Sequence, residues 1–379
     1  MILGIDAFNI SSGGGVTHLV ELLSEVNPLK HGFKKVIIWG NFKVLDRIED
    51  RDWLQKEYIP MLNKSLFHRI FWHKFIEARI AKNNNCDIVF LPGGVASSGF
   101  SPVVTMSRNM LPFEWKELKR FGWSLISLKL IILHFTQLRS FKKTSGLIFL
   151  TRYARDLICV NKGINKKNIT IIPHGVSSKF FQPNFPNKDK IFSKESPCTV
   201  LYVSNISPYK HQWNVIEAVS YLRKKEIPIV LELIGPSGPG FSKMQKTIDK
   251  LDPENDFIRY HGEVPHDLLK QYYATADIGV FASSCENMPN TLLEGMASGI
   301  PMACSNMGPM PEIMGDSDLY FDPLNPVDIA QVLQKMFDSS ELREKSARKS
   351  ISLAKKYTWG LCADETFAFL KLIAKKSSS

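Results

Sequence analysis

The chain has 379 residues, an apolar content of 44% and a formal net charge of +11. This length exceeds what one hydrophobic core usually organises, so we expect two domains. The six cysteines are widely spaced and lack a histidine at ligand spacing, which argues against both a disulfide framework and a zinc site. The N-terminus has no signal-peptide pattern, and we expect a protein of the reducing cytosol.

Basic residues are concentrated in the first half of the chain. Residues 1–182 contain 26 Lys and Arg against 13 Asp and Glu, whereas residues 183–379 contain 22 against 24. Such an excess indicates an anionic partner, which could be nucleic acid, a membrane surface or an acidic substrate. The sequence contains no nucleic-acid-binding motif, and Leu, Ile, Phe and Trp lie between the cations. This pattern favours an anionic membrane surface over nucleic acid.

Short apolar runs alternate with amphipathic segments along the whole chain. The runs of the first half are MILGID, KVIIWG, CDIVFLP, PVVTM, GLIFLT and NITIIP, and those of the second half are CTVLYVSN, IVLELIG, FIRYHG, DIGVFAS and IPMACS. Helical patterns such as VTHLVELLSEV and WNVIEAVSYLRKK lie between them. Buried strands that alternate with helices predict an α/β protein whose parallel sheets are covered on both faces.

The polar, proline-containing segment Phe181–Pro197 is the best linker candidate because it lacks a strong hydrophobic period. We therefore predict a first domain over residues 1–182 and a second over residues 183–359. A C-terminal helix over about 360–379 is expected to pack back on the first domain.

Two helical stretches of the first half, Leu62–Lys82 and Trp123–Lys143, mix cations with large apolar residues. The second is interrupted by Lys129 and His134 and is too short in apolar residues to span a bilayer, which needs about 20. Each stretch is either an ordinary amphipathic helix with one buried face or a helix that lies on a membrane surface. In the second case the membrane would be contacted by Lys64, Arg69, Lys74, Lys129, Arg139, Lys142 and Lys143.

Two glutamates stand out in the stretch FASSCENMPNTLLEGMASGIP, where Glu286 follows a predicted strand and Glu294 lies in the next helix. Pro289 suits the first turn of that helix because proline lacks the N–H that would be unpaired there. Ligands bind at the carboxyl ends of strands in open α/β sheets, and a helix N-terminus favours a diphosphate. The two carboxylates could then accept hydrogen bonds from sugar hydroxyls. A surface acid plus an acid favoured by the helix dipole is the alternative.

Four further segments each contain a strand, a turn marked by glycine or proline, and a helical stretch. They are Tyr202–Val219, Leu233–Pro239, Tyr260–Ser283 and Gly299–Asp316. Together with Glu286 and Glu294, this succession resembles the donor-binding half of the retaining nucleotide-sugar glycosyltransferases of family 4. The resemblance extends back through IIPHGV to the loop SSGGGVTHLVELL, covers most of the chain and is more specific in the second half.

The resemblance implies the α/β GT-B fold, in which two Rossmann-like parallel-sheet domains face each other across a cleft. The first domain would bind the acceptor and the second the nucleotide-sugar donor. No metal ion and no cofactor are expected, and the DSD string Asp316–Asp318 is interpreted as a solvated turn.

The resemblance also assigns roles within the second domain. It implies that Glu286 contacts hydroxyls of the transferred sugar, that Glu294 binds the ribose and that Lys210 holds the diphosphate. Asn205 stands where an arginine is common, so the second cation is either missing or supplied elsewhere, by His211 or by an arginine of the first domain. The remaining predicted donor-binding residues are Gly235, Asn287, Met288, Pro289, Asn290 and Thr291.

In the first domain, Gly14 and Gly15 belong to a glycine loop after the first strand, where backbone without Cβ can approach the donor phosphates or the acceptor. Arg108 and Asn109 stand where relatives often carry a histidine near the reacting sugar, and we predict that both are catalytic. His174 could be either a site residue or a core or turn histidine.

The resemblance implies a retaining hexosyltransferase of bacterial surface-polysaccharide synthesis, of the O-antigen, lipopolysaccharide or capsule type. Its acceptor would be a saccharide or a saccharide linked to a lipid diphosphate. We expect a cytoplasmic protein that is peripheral on the inner face of the cell membrane and does not bind nucleic acid. The alternatives are another GT-B enzyme, such as a sugar-nucleotide epimerase, or a non-catalytic nucleotide-sugar-binding partner of another transferase.

Overall fold

The structure is a computed structural model that describes residues 1–10, 13–64, 68, 71–95, 99–164, 167–181, 185 and 190–378. The chain forms two compact units. Unit 1 comprises Met1–Phe113, Leu128–Gly175 and Trp359–Ser379, and unit 2 comprises Glu114–Ser127 and Val176–Thr358. The domain boundary predicted at residue 182 lies outside the described residues.

Unit 1 contains a seven-stranded sheet in which every strand is parallel to its neighbours, in the order β3-β2-β1-β4-β5-β6-β7. Its strands are β1 Ile2–Asp6, β2 Lys35–Gly40, β3 Leu54–Tyr58, β4 Ile88–Leu91, β5 Val103–Met106, β6 Gly146–Phe149 and β7 Ile169–Ile171. The central strands β4, β5 and β6 are buried along their whole length, as the apolar runs predict for strands covered on both faces.

Unit 2 contains a six-stranded parallel sheet in the order β10-β9-β8-β11-β12-β13. Its strands are β8 Cys198–Val203, β9 Ile229–Ile234, β10 Ile258–Tyr260, β11 Ile278–Phe281, β12 Met302–Ser305 and β13 Tyr320–Phe321. The α/β class and the two parallel sheets predicted from the sequence are thus confirmed.

Helices connect the strands in both units. The α-helices are α1 Gly14–Glu25, α2 Phe42–Leu45, α3 Glu77–Asn83, α4 Trp115–Lys119, α5 Leu125–Lys143, α6 Arg152–Arg155, α7 Gln212–Lys224, α8 Phe241–Leu251, α9 Leu269–Thr275, α10 Asn290–Ala297, α11 Met310–Met314, α12 Pro326–Asp338, α13 Ser340–Ala354 and α14 Trp359–Ser378. Short 3-10 turns cover Pro28–His31, Pro60–Asn63, Ser178–Phe180, Pro208–Lys210 and His266–Leu268, and π-helical turns cover Trp72–Ile76 and Asp156–Val160. The last helix, α14, packs against α1 within unit 1.

The strand order of each sheet reverses at one place. In unit 1 the reversal lies between β1 and β4, and in unit 2 it lies between β8 and β11. The loops that leave two such neighbouring strands diverge to opposite sides of the sheet and open a crevice at the carboxyl edge. In unit 2 these two loops are Ser204–Ser207 and the segment that precedes α10.

Among the described residues, none of the helices combines the length and the apolar character that crossing a bilayer requires.

Candidate active site

Lys210 and Glu286 meet at the point where the strand order of unit 2 reverses. Lys210 ends the 3-10 turn that follows β8, and Glu286 lies in the loop between β11 and α10. Because β8 and β11 are paired neighbours, with Val200 opposite Ile278, their carboxyl ends bring the two loops together. The side chains predicted to bind the diphosphate and the sugar are therefore adjacent.

The two side chains form a buried ion pair between Lys210 Nζ and Glu286 Oε1, with side-chain exposures of 8% and 14%. The ammonium also lies 5.4 Å from the ring centre of Tyr209 and 5.0 Å from that of Phe281, at distances where cation–π attraction operates. Burial alone would lower the pKa of Lys210, but the Glu286 carboxylate outweighs this effect and the pKa is raised. Lys210 is therefore a buried, charged lysine and not a solvated residue at a helix start.

Glu294 lies on α10 and is buried, with an exposure of 6%. Its Oε1 lies 2.8 Å from His266 Nε2, which belongs to the 3-10 turn before α9. Its Oε2 is buried and has no hydrogen-bond partner among the described residues. A buried carboxylate oxygen without a donor is unfavourable, so this atom is suited to accept a hydrogen bond from a ligand hydroxyl.

A second buried network supports the loop that carries Glu286. His211 Nε2 lies 2.8 Å from Ser284 Oγ, and the Ser284 hydroxyl donates to Glu117 Oε2 at 2.6 Å. Glu117 also accepts from Arg120 Nε at 2.7 Å. The network fixes the backbone on both sides of the ion pair, because His211 follows Lys210 and Ser284 lies two residues before Glu286.

Burial lowers the pKa of His211 to about 3, with smaller contributions from Arg120 and Lys243. The imidazole is therefore neutral at physiological pH. The low pKa argues against the alternative in which His211 supplies a second cation for the diphosphate.

Glycines allow the loop after β9 to lie directly on the loop after β8. Gly235 has φ +145°, and a Cβ there would stand 2.0 Å from the Ser204 carbonyl oxygen. A Cβ on Gly238 would stand 2.4 Å from the Ile206 carbonyl oxygen. Asn205 lies between these contacts with an exposed side chain, and its carbonyl accepts from Gln212 Nε2 at 2.9 Å. The predicted donor residues Asn205 and Gly235 are thus held against each other.

The other predicted donor-binding residues line the entry to α10. Asn287, Met288 and Pro289 are buried, and Pro289 is the N-cap of the helix, one position before the first turn. Asn290 begins the helix and Thr291 follows, and both side chains are partly exposed. No side chain caps this helix start among the described residues, and a helix N-terminus favours an anion.

The predicted residues of the first domain lie in unit 1. Gly14 begins α1, and a Cβ on Gly15 would stand 2.9 Å from Arg108 Nη1, so the glycine allows the guanidinium to lie against the start of the helix. Burial lowers the pKa of Arg108 to about 10. The side chain of Asn109 closes a local turn, in which its Oδ1 accepts from the Leu111 N–H at 3.1 Å.

His174 is buried in unit 1, where its ring stacks on His18 with centroids 4.8 Å apart and lies 5.6 Å from Trp359. Burial lowers the pKa of His18, and His174 and Arg108 lower it further. The contacts of His174 fit a core histidine, one of the two alternatives that the sequence leaves open.

The described residues contain no group of three His, Cys, Asp or Glu side chains that could hold a metal ion. Asp316 and Asp318 of the DSD string are exposed and lie in bends. This arrangement matches the interpretation of the string as a solvated turn.

Sequence reasoning missed three residues that shape the site, namely Glu117, His266 and Ser284. Glu117 is 167 residues from Ser284 in the chain and belongs to no motif, so no sequence signal connected them. His266 lies within the segment Tyr260–Ser283 that contributed to the resemblance, but its own role was not recognised. A histidine just before a predicted helix in this segment was the available signal.

Residues 184–352 match the family model described as "Glycosyl transferases group 1". The O-antigen chain mannosyltransferase B of Escherichia coli is 32% identical over 178 residues, which cover 46% of this chain and 45% of that protein. The chain spans about half the length of the curated relatives it matches.

Solved structures resemble the chain over nearly its whole length. A glycosyltransferase from Rickettsia africae ESF-5 has a TM-score of 0.68 at 19% identity, covering 99% of this chain and 98% of that one. The Anabaena protein Alr3699/HepE in complex with UDP and glucose has a TM-score of 0.66 at 15% identity, covering 100% and 99%. Residues 184–352 are therefore similar to the glycosyl transferases group 1 family, and the chain has the GT-B fold.

Proposed function

We propose that the protein is a glycosyltransferase that moves a sugar from a nucleotide-sugar donor to a saccharide or lipid-linked saccharide acceptor. The observation that carries this proposal is the arrangement of three charged side chains at the carboxyl edge of the sheet of unit 2. The Lys210–Glu286 pair lies where the strand order reverses. Glu294, on helix α10, has a buried Oε2 for which the described part of the chain offers no hydrogen-bond partner.

The donor diphosphate would bind between Lys210 and the uncapped start of α10. Lys210 supplies a full positive charge, and the helix start supplies N–H donors and the positive end of the helix dipole. Both are buried or partly buried, where electrostatic contacts are stronger than in water. Since these groups offset the diphosphate charge, we propose that the reaction needs no metal ion and no cofactor. Activity that is unchanged by a chelator supports this, and a complete loss that Mg²⁺ restores would contradict it.

The two glutamates would divide the hydroxyl groups of the donor between them. Glu286 binds the transferred sugar, because it lies next to the cation that binds the diphosphate. Glu294 binds the ribose, with Oε2 as the acceptor and with Oε1 already oriented by His266. Bonds from hydroxyls to carboxylates are charge-assisted, and each contributes about 1.5–3 kcal/mol.

We propose that transfer retains the anomeric configuration through displacement on one face of the sugar. The leaving diphosphate takes the proton of the acceptor hydroxyl as that hydroxyl attacks the anomeric carbon. The protein then contributes positioning and electrostatic stabilisation of the separating charge. Arg108 and Asn109 are proposed to act at the reacting sugar, and Gly14 and Gly15 to approach the donor.

The proposed acceptor class is a bacterial surface polysaccharide intermediate at the inner face of the cell membrane. One of the relatives is named as an O-antigen chain mannosyltransferase, which supports this class. The basic excess of residues 1–182 supports an anionic membrane as the working surface.

The experiment is to incubate the full chain with a panel of nucleotide sugars and a lipid-linked acceptor and to measure released nucleoside diphosphate. Release that depends on the acceptor is expected for one donor. Glu286→Gln should lower kcat more than it raises the donor KM, because contacts to the sugar strengthen as the glycosidic bond breaks. Glu263→Gln, at an exposed glutamate of unit 2, is the matched control and should behave like the parent. Normal turnover by Glu286→Gln would overturn the assignment.

A further inference from the structure

The helix α5 turns three of its large apolar residues outward. Leu128, Ile132 and Phe135 are 54%, 56% and 63% exposed, and their spacing of four and three residues places them on one face. We call the face formed by Leu128, Lys129, Ile132, Phe135, Arg139, Lys142 and Lys143 the α5 outer face. A surface helix of a globular protein normally shows the opposite arrangement, with its apolar stripe toward the core.

The inward face of the same helix is mixed, with Leu130 and Phe141 buried beside several polar residues. His134, Gln137 and Ser140 are buried, with exposures of 4%, 4% and 2%. His134 Nδ1 lies 2.7 Å from the Pro112 carbonyl oxygen, so this inward face takes part in hydrogen bonds inside unit 1. The three large apolar side chains therefore stay outward. Rotating the helix to bury them would move the buried polar residues out of the interior and break these contacts.

The charges on the α5 outer face indicate what covers it. All of its charged residues are cations, and α5 contains no Asp or Glu over its 19 residues. A second copy of this face would oppose cations with cations, which is unfavourable. A surface that offers both a hydrocarbon layer and negative charge matches the apolar and the basic residues together, and a bilayer that contains anionic lipid has both properties.

We propose that the α5 outer face docks the protein on an anionic membrane surface, with Leu128, Ile132 and Phe135 inserted among the lipids and the four cations at the headgroups. The helix lies along the membrane plane and does not cross the bilayer. This inference goes beyond the proposed transferase activity, and either can fail without the other because docking is measured without substrates.

The test is sedimentation of the full chain with vesicles of phosphatidylcholine alone and with vesicles that also contain phosphatidylglycerol. Binding is expected only with the anionic vesicles, and rising salt should weaken it without abolishing it, because salt screens the charges but not the apolar insertion. Lys129→Gln/Lys142→Gln/Lys143→Gln should lower the partition coefficient roughly a hundredfold. Leu128→Gln/Ile132→Gln/Phe135→Gln should lower it at least about tenfold.

Matched controls use exposed residues of unit 1 outside this face. Lys30→Gln/Lys34→Gln removes cations elsewhere, and Val160→Gln changes a side chain that is 75% exposed. Both should bind vesicles like the parent, and all variants should keep the parent circular dichroism spectrum. The proposal is overturned if the parent stays in the supernatant at low salt, or if the outer-face variants bind as well as the controls. It is also overturned if Ile132→Gln only converts an oligomer to a monomer, since the face would then contact another copy.

Discussion

The Lys210 ammonium and the Glu286 carboxylate form an ion pair that is almost withdrawn from water, although 75 residues separate them in the chain. The parallel pairing of β8 with β11 brings them together. Their contact therefore depends on the sheet topology and links the stability of unit 2 to its proposed donor site.

Breaking this pair from one side should destabilise unit 2 more than removing both charges. Glu286→Gln or Lys210→Met leaves one buried charge without its partner, which costs about 3–5 kcal/mol, whereas Lys210→Met/Glu286→Gln leaves none. Urea denaturation of the three variants measures the difference. Asp267→Asn breaks an exposed pair with Lys179 and should leave the free energy of unfolding nearly unchanged. Equal losses for the single and double variants would contradict the buried-pair interpretation.

Glu294→Gln should chiefly raise the donor KM. If Glu294 binds the ribose equally in the ground state and the transition state, the loss appears in KM and leaves kcat nearly unchanged. The loss of a charge-assisted hydrogen bond, worth about 1.5–3 kcal/mol, corresponds to roughly 10- to 100-fold. Steady-state kinetics with varied donor provide the measurement, with Glu263→Gln as the control. An unchanged KM would remove Glu294 from the donor site.

The pKa of His211 predicts how the free energy of unfolding depends on pH. Its pKa in the folded protein is about 3, below the unfolded value of about 6.5, so between these values the unfolded chain binds a proton that the folded chain does not. The contribution of the neutral His211 to the free energy of unfolding is fully present above about pH 6.5. It is lost as the pH falls toward 3, at up to about 1.4 kcal/mol per pH unit.

The matched variant is His211→Asn, because asparagine tolerates the left-handed backbone that His211 adopts at φ +51° and does not titrate. The difference in unfolding free energy between parent and variant should decrease steadily from pH 6.5 toward pH 4. A difference that is independent of pH would show that His211 titrates normally in the folded state.

The signals for the fold class, which is confirmed, and for the donor site, which stays a prediction, are both local in the sequence. Apolar strand runs predict buried parallel strands, and Glu286, Pro289 and Glu294 belong to one continuous stretch. The sequence could not predict that Lys210 is paired with Glu286, because this contact depends on which strands become neighbours. The link between Glu117 and Ser284 was missed for the same physical reason.

The orientation of α5 shows a second limit of sequence patterns. The stretch Trp123–Lys143 predicted either a helix with a buried apolar face or a helix on a membrane surface, and periodicity alone does not say which face packs inward. Tertiary contacts such as that of His134 with the Pro112 carbonyl determine the choice. Of the cations predicted to contact a membrane, Arg69 and the side chain of Lys74 lie outside the described residues.

Glycines of the loops after β9 and β10 allow the effects of steric contact and of backbone strain to be measured separately. Gly235→Ala should be the most harmful change, because the new Cβ would meet the Ser204 carbonyl at 2.0 Å and the residue would keep φ +145°. Gly238→Ala adds only a steric conflict, at 2.4 Å from the Ile206 carbonyl, since its φ lies outside the glycine region. Gly262→Ala adds only strain, because its φ is +70° and nothing lies within 4 Å of the new Cβ.

Strain alone should cost Gly262→Ala about 1–2 kcal/mol of stability and leave the donor KM unchanged. Gly235→Ala and Gly238→Ala should both raise the donor KM, because each pushes the Ser204–Ser207 loop away from the position that orients Lys210. Urea denaturation and donor titration of the three variants measure the two effects separately. If Gly238→Ala binds the donor as the parent does, contact between these loops does not position the site, and the effect of Gly235→Ala must come from its backbone conformation.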